Sequence, residues 1–136
     1  MKKYFLLLMG ILTICFKCEK SGKETGLIYY SYSDCKEENF SSQILNDTAE
    51  VEIIIEDLLI KVIHRNALLN CCPESIVVKF TQEDSILKLD EEDINPQCDC
   101  SCFHEIKSVI RVQEHGTYIL EIYPNGRLIF RKRIIV

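Results

Sequence analysis

The chain contains no tryptophan, and its cysteines do not follow the spacing that joins the two sheets of an antibody domain, so that type of immunoglobulin domain is excluded. It also lacks any apolar run as long as the roughly 18 to 20 residues a bilayer-crossing helix needs. The longest such stretch, Tyr4 to Phe16, is closed by Lys17. Positive charge is scarce too. A formal net charge of −5 argues against nucleic acid or anionic lipid as a partner, because both are approached through clustered Lys and Arg. Asp90-Glu91-Glu92-Asp93 has neither the alternate ligand spacing nor the glycine of a calcium loop, and as a charge run it reads as a solvated loop. No nucleophile signature surrounds any cysteine, so His64, His104 and His115 are expected to be packed or hydrogen-bonded rather than catalytic, and no enzyme is expected. Internal repeats and low-complexity tracts are absent.

The N-terminus reads as an export signal. Lys2 and Lys3 form a charged n-region ahead of the apolar stretch, which assigns residues 1–17 to a signal peptide. A cysteine and a polar run, Cys18-Glu19-Lys20-Ser21-Gly22, follow at once and invite lipidation. Cys15 has Leu12 at the favoured place but Ile14 just before it; Cys18 follows Phe16 and Lys17 but opens the polar tether, and is preferred. Cleavage there removes three lysines and makes the mature chain more acidic still. The expectation is a cell-envelope protein, anchored to the membrane through lipidated Cys18 and a tether over residues 18–26, facing the periplasm or the outer surface.

Residues 27–136 form the candidate domain. Its apolar residues fall in short runs rich in Ile, Val, Tyr and Phe, and helical periodicity is hard to find. Gly26 to Ser33 is a first strand, with Tyr30 and Tyr32 alternating against serines. Residues 36–49 are polar, with Glu37 to Leu45 equally readable as a short helix or a loop. Val51 to Ile55 and Leu58 to His64 are strands on either side of Glu56-Asp57. Ile76, Val78 and Phe80 alternate with Val77, Lys79 and Thr81, and Ile86 to Leu89 answers across a four-residue connection, Gln82 to Ser85. Ile106, Ser108, Ile110 and Val112 alternate likewise. A last hairpin runs from Gly116 through Tyr123, turns at Pro124-Asn125-Gly126-Arg127 and returns through Leu128, Phe130, Ile134 and Val136. About seven or eight short strands spaced by turns predict an all-β fold, an antiparallel β-sandwich that is immunoglobulin-like in architecture.

What the chain has in quantity is cysteine, eight residues in all. Two clusters, Cys71-Cys72-Pro73 and Cys98-Asp99-Cys100-Ser101-Cys102, sit at strand ends beside turn residues and could meet at one end of the sandwich. In an extended strand Cys98, Cys100 and Cys102 would share a face, while Cys71 and Cys72 would diverge. With Cys35 they make an even set of candidates for disulfides, Cys35, Cys71, Cys72, Cys98, Cys100 and Cys102, the default in an exported protein. A bridge between the clusters closes a loop of roughly 27 to 32 residues, worth about 3 to 4 kcal/mol on the loop-entropy account. The rival is a thiolate metal site built from Cys71, Cys72, Cys98, Cys100 and Cys102 with His64 or His104. Zinc favours wider C-x2-C spacing, whereas Cu(I) or an iron–sulfur cluster accepts several closely set thiolates.

The segment His64-Arg65-Asn66-Ala67-Leu68-Leu69-Asn70-Cys71-Cys72-Pro73-Glu74-Ser75-Ile76, with Cys98-Asp99-Cys100-Ser101-Cys102, Gly116-Thr117-Tyr118 and Ile122-Tyr123, resembles a set of small bacterial lipoproteins of Bacteroidetes type. The resemblance covers about residue 58 to residue 136. It implies a β-sandwich and a cell-envelope location and assigns no activity; a protein partner is expected. Gly116 to Val136, ending in Arg131-Lys132-Arg133, is also similar to the short β-sandwich sorting tails of a secretion system in such bacteria. Those tails follow a large cargo, so this likeness is taken as shared architecture.

Overall fold

A computed structural model describes residues 25–36 and 49–136. The signal peptide, both lipidation candidates, most of the tether and the undecided segment Glu37 to Leu45 lie outside the described residues.

Eight strands follow one another: β1 Gly26–Tyr32, β2 Val51–Glu56, β3 Leu59–Asn70, β4 Ser75–Glu83, β5 Ile86–Ile94, β6 Ser101–Arg111, β7 Thr117–Pro124 and β8 Phe130–Ile135. They form two four-stranded sheets, β1-β6-β3-β2 and β4-β5-β7-β8, packed as a β-sandwich. Every neighbouring pair is antiparallel except β5 and β7, which run parallel with Leu87 beside Leu120 and Leu89 beside Ile122. That pair was not expected. It arises because β6 crosses to the other sheet between them, so β7 returns beside β5 in the same direction.

Alternation of apolar residues drives the packing. On β6, Cys102, His104, Ile106, Ser108 and Ile110 are all buried, while the residues between them are more exposed. Ile60, Val62, Ala67 and Leu69 of β3 join this inner face, and Ile76, Val78, Leu87, Leu89, Tyr118, Leu120, Ile122 and Ile134 belong to the same core cluster. Each such aliphatic side chain, fully removed from water, contributes about 1.5–3 kcal/mol. On β3 the alternating buried positions run 60, 62, 64 and then 67, 69, with Ile63 buried as well. The change of parity is a β-bulge between His64 and Ala67, where an extra residue shifts the register against β6.

Tight turns are made by residues that tolerate positive φ. Asp57 (54°) joins β2 to β3, and Asp84 (52°) joins β4 to β5. The β4–β5 register continues to Glu83 opposite Ile86, so the connection is a two-residue turn and not the longer loop expected from the sequence. Asn125 (46°) and Gly126 (78°) form the Asn-Gly turn after β7.

The pairings reveal a larger unit. β3 pairs with β6 from Leu59 opposite Arg111 to Asn70 opposite Ser101, and β4 pairs with β5 from Ser75 opposite Ile94 to Glu83 opposite Ile86. The two pairs are successive halves of one long antiparallel ribbon. Its tip is the Asp84-Ser85 turn, and it folds over on itself so that one half lies in each sheet. The corner of that fold consists of residues 71–74 on one strand and 95–100 on the other.

The acidic run Asp90-Glu91-Glu92-Asp93 lies inside β5 and is not a loop. Glu91 is buried against His64, Glu92 meets Lys79 at 2.5 Å, and Asp93 accepts hydrogen bonds from the Asn70 backbone and the Asn125 side chain. Protein partners thus meet Glu91, Glu92 and Asp93.

Candidate functional site at the cysteine corner

At the corner the ladder of the ribbon gives out because both strands must pass from one sheet to the other. Cysteine side chains take over there. Cys71 is bridged to Cys100 and Cys72 to Cys98, with Cα–Cα distances of 5.7 Å in both. The first continues the register set by Asn70 opposite Ser101, and the second crosses one step further on. A third bridge joins Cys35, in the segment after β1, to Cys102 of β6, with Cα atoms 5.8 Å apart. All six candidate cysteines are therefore paired, and the two clusters meet at one end of the sandwich as expected.

Two features differ from the sequence reading. Cys98 and Cys100 precede β6 and lie in irregular backbone, so only Cys102 of the three is on the strand, where it faces the core. Adjacent Cys71 and Cys72 do not part to opposite faces: their sulfurs lie within 4.8 Å of each other, and both reach partners on the same opposing segment.

Asn70, the last residue of β3, organises the corner. Its side-chain oxygen accepts from the Cys72 backbone N–H at 2.8 Å, and its amide nitrogen donates to the Cys98 carbonyl at 2.7 Å. Its own backbone N–H donates to Asp93 at 2.8 Å, and its carbonyl lies 3.0 Å from His104 Nε2. Backbone bonds complete the frame: Cys71 N–H to Cys100 O (3.3 Å), Gln97 N–H to Cys72 O (2.9 Å) and Glu74 N–H to Ile94 O (2.9 Å). Asn70 was legible only as part of the Asn-Cys-Cys motif. An asparagine at the point where a strand ends before vicinal cysteines is the signal, since its amide can serve both backbones.

The sulfurs of Cys71, Cys72, Cys98 and Cys100 all lie within 4.8 Å of one another. Across the bridges, Cys98 Sγ is 3.0 Å from Cys100 Sγ and 3.6 Å from Cys71 Sγ. Cys72 and Cys100 are exposed, and Cys71 and Cys98 half-buried. Of the remaining candidates for a metal site, Cys102 is bridged to Cys35 and nearly buried. His104 lies behind the corner, its Nε2 3.3 Å from Cys102 Sγ and its Nδ1 3.0 Å from the Ser33 carbonyl. It ties β6 to β3 and to the segment after β1. His64 lies between the sheets, with Nδ1 2.7 Å from Glu91 Oε2.

Charged groups reinforce the third bridge. Glu105 is met by Lys36 at 3.5 Å, Arg65 at 3.4 Å and Lys107 at 2.9 Å, which links the residue after Cys35 to β6. The hydrogen bond from Lys107 holds the Glu105 carboxyl below its ordinary value. His115 is at the opposite end, 3.3 Å from Asp57, beside an open polar depression of about 410 Å³ lined by residues including Asp84, Ser85 and Thr117.

No protein family, curated protein or solved structure matches the chain.

Proposed function

We propose that the chain is a cell-envelope lipoprotein, anchored through Cys18, whose sandwich serves as a structural and interaction module for another protein of the envelope. The observation that supports this reading is the set of three disulfides closing one end of the domain. Bridges of this density belong to compartments that do not reduce them. They also suit a module that must keep its shape outside the cell's chaperone and reductant systems. The acidic charge favours a protein partner over nucleic acid. The thiolate–metal alternative uses the same sulfurs, which hold a metal only when reduced, so in the oxidised chain it gives way to the clamp.

The test is fractionation of cells producing the full chain, with thiol alkylation of each fraction before reduction. Wild-type protein should appear in the membrane fraction with the six cysteines resistant to alkylation, and Cys18→Ser should leave that fraction. Recovery of wild-type protein from the cytosol with its thiols free would sink the reading.

A further inference from the structure

We propose that the corner is a two-state site: a thiol reductant opens the Cys71–Cys100 and Cys72–Cys98 bridges, and the four freed thiolates then bind one soft or borderline divalent ion such as zinc. The inference rests on the pairing at the corner and is independent of where in the cell the protein works.

Geometry carries it first. A tetrahedral zinc–thiolate centre, with bonds of about 2.3 Å, places its sulfurs about 3.8 Å apart. The non-bonded contacts of 3.0 and 3.6 Å, with all four sulfurs inside 4.8 Å, are close to that spacing. Frame hydrogen bonds carry it second. The bonds from Asn70 Nδ2 to Cys98 O, from Cys72 N–H to Asn70 Oδ1 and from Gln97 N–H to Cys72 O involve no sulfur, so they hold the four cysteines together once the bridges are open. Cys102 is only 9% exposed, whereas Cys72 and Cys100 face solvent. Each paired bridge thus offers reductant one exposed sulfur, whereas Cys35–Cys102 offers a half-buried and a buried one, so the paired bridges open first.

The chemistry balances. Each bridge is reduced to two thiols by two equivalents of thiol, or one of dithiol, which leaves as its disulfide. Zinc then displaces one proton from each of the four thiols, giving a tetrathiolate centre with a net charge of two minus. Four thiolates and no oxygen ligand select a soft or borderline ion over calcium or magnesium. The ion replaces both disulfides as the clamp across the ribbon, so the corner remains closed in either redox state.

The test is cobalt titration of the mature chain. After reduction with a dithiol and anaerobic desalting, the protein should develop thiolate-to-cobalt charge-transfer absorption and the strong visible bands of tetrahedral cobalt. Both should saturate at one equivalent and disappear on adding one equivalent of zinc. The unreduced chain should bind no cobalt. Cys35→Ser with Cys102→Ser should titrate like the wild type, and Cys72→Ser with Cys98→Ser should lose the signal. A reduced wild-type chain that takes up no stoichiometric cobalt, whether folded or not, overturns the proposal. So does an undiminished signal in the Cys72/Cys98 variant, or uptake before reduction. Alkylation of the unreduced protein tests the disulfide clamp separately, so a failure here does not count against the clamp.

Discussion

The contact between His64 and Glu91 makes the sharpest test of how the two sheets are held together. His64 comes from β3 in one sheet and Glu91 from β5 in the other, and their 2.7 Å hydrogen bond spans an interior where the side chains are only 2% and 1% exposed. Replacing Glu91 alone by Leu leaves the ring nitrogen facing hydrocarbon, and replacing His64 alone by Leu leaves a carboxyl there. Breaking a buried pair from one side costs about 3–5 kcal/mol, whereas exchanging both partners for well-packed apolar residues is often neutral or stabilising. Each single variant should therefore lose a large share of the roughly 5–15 kcal/mol available to a domain of this kind. The double variant His64→Leu/Glu91→Leu should recover most of that loss, giving a coupling of several kcal/mol. The assay is urea unfolding followed by circular dichroism at pH 7 without reductant, closed as a double-mutant cycle. Single variants that unfold within about 0.5 kcal/mol of wild type, or a double variant whose loss equals the sum of the two, would refute the reasoning.

Other consequences follow from the corner and the turns. Removing Cys72–Cys98 by double Ser substitution should cost only about 2 kcal/mol, because Cys71–Cys100 still spans the same two segments and the second bridge closes a short additional ring. Losing both should approach about 5 kcal/mol, read from the same urea curves. Asn70→Ala strips a donor and an acceptor from the corner backbone and should cost about 1–3 kcal/mol, with faster alkylation of Cys72 and Cys98 under mild reductant. Glu105 has its carboxyl lowered by Lys107, so its contribution is present above the ordinary carboxyl range and is lost as pH falls through the lowered value; in Glu105→Gln the acid limb of the stability profile should flatten. Gly126→Ala places a Cβ at φ 78° and should destabilise the last hairpin by about 1 kcal/mol, measured by thermal melting.

The strands were legible where alternation is strict and local. Ile76-Val78-Phe80 and Ile106 to Val112 announce their buried faces, and Asn125-Gly126 announces its turn, because period and turn chemistry are properties of neighbouring residues. Three features were not legible. The β3 bulge inserts a residue without any mark such as glycine, so the strand reads as ending at His64 when it continues to Asn70. The acidic run looks like a solvated loop because its partners, His64, Lys79 and Asn70, are all distant in sequence. The parallel β5–β7 pair depends on β6 crossing between the sheets, which no local pattern records. The cysteines were legible as a set of six and as two clusters that meet. Their pairing was not, since six thiols allow fifteen connectivities and only the register of the folded ribbon selects one.

That register also accounts for where the cysteines sit. A ribbon passing from one sheet to another must give up ladder bonds at the corner, and the exposed backbone there is where pairing would otherwise slip or fray. Here the ladder stops at Asn70 opposite Ser101 and resumes at Ser75 opposite Ile94. Between them stand the two cross-strand bridges and the Asn70 amide, each tying one segment to the other. The third bridge ties the end of β1 to β6, whose other neighbour, β3, leads directly into the corner. Sulfur thus adds to the backbone bonds that still cross the corner, Cys71 N–H to Cys100 O, Gln97 N–H to Cys72 O and Glu74 N–H to Ile94 O, where the regular ladder is interrupted. The same placement crowds four sulfurs together, because two bridges within one short corner have no room to stand apart. A clamp of this kind has a second chemistry available to it whenever its bridges are opened: the separation that brings two disulfides side by side is close to the separation at which four thiolates share an ion.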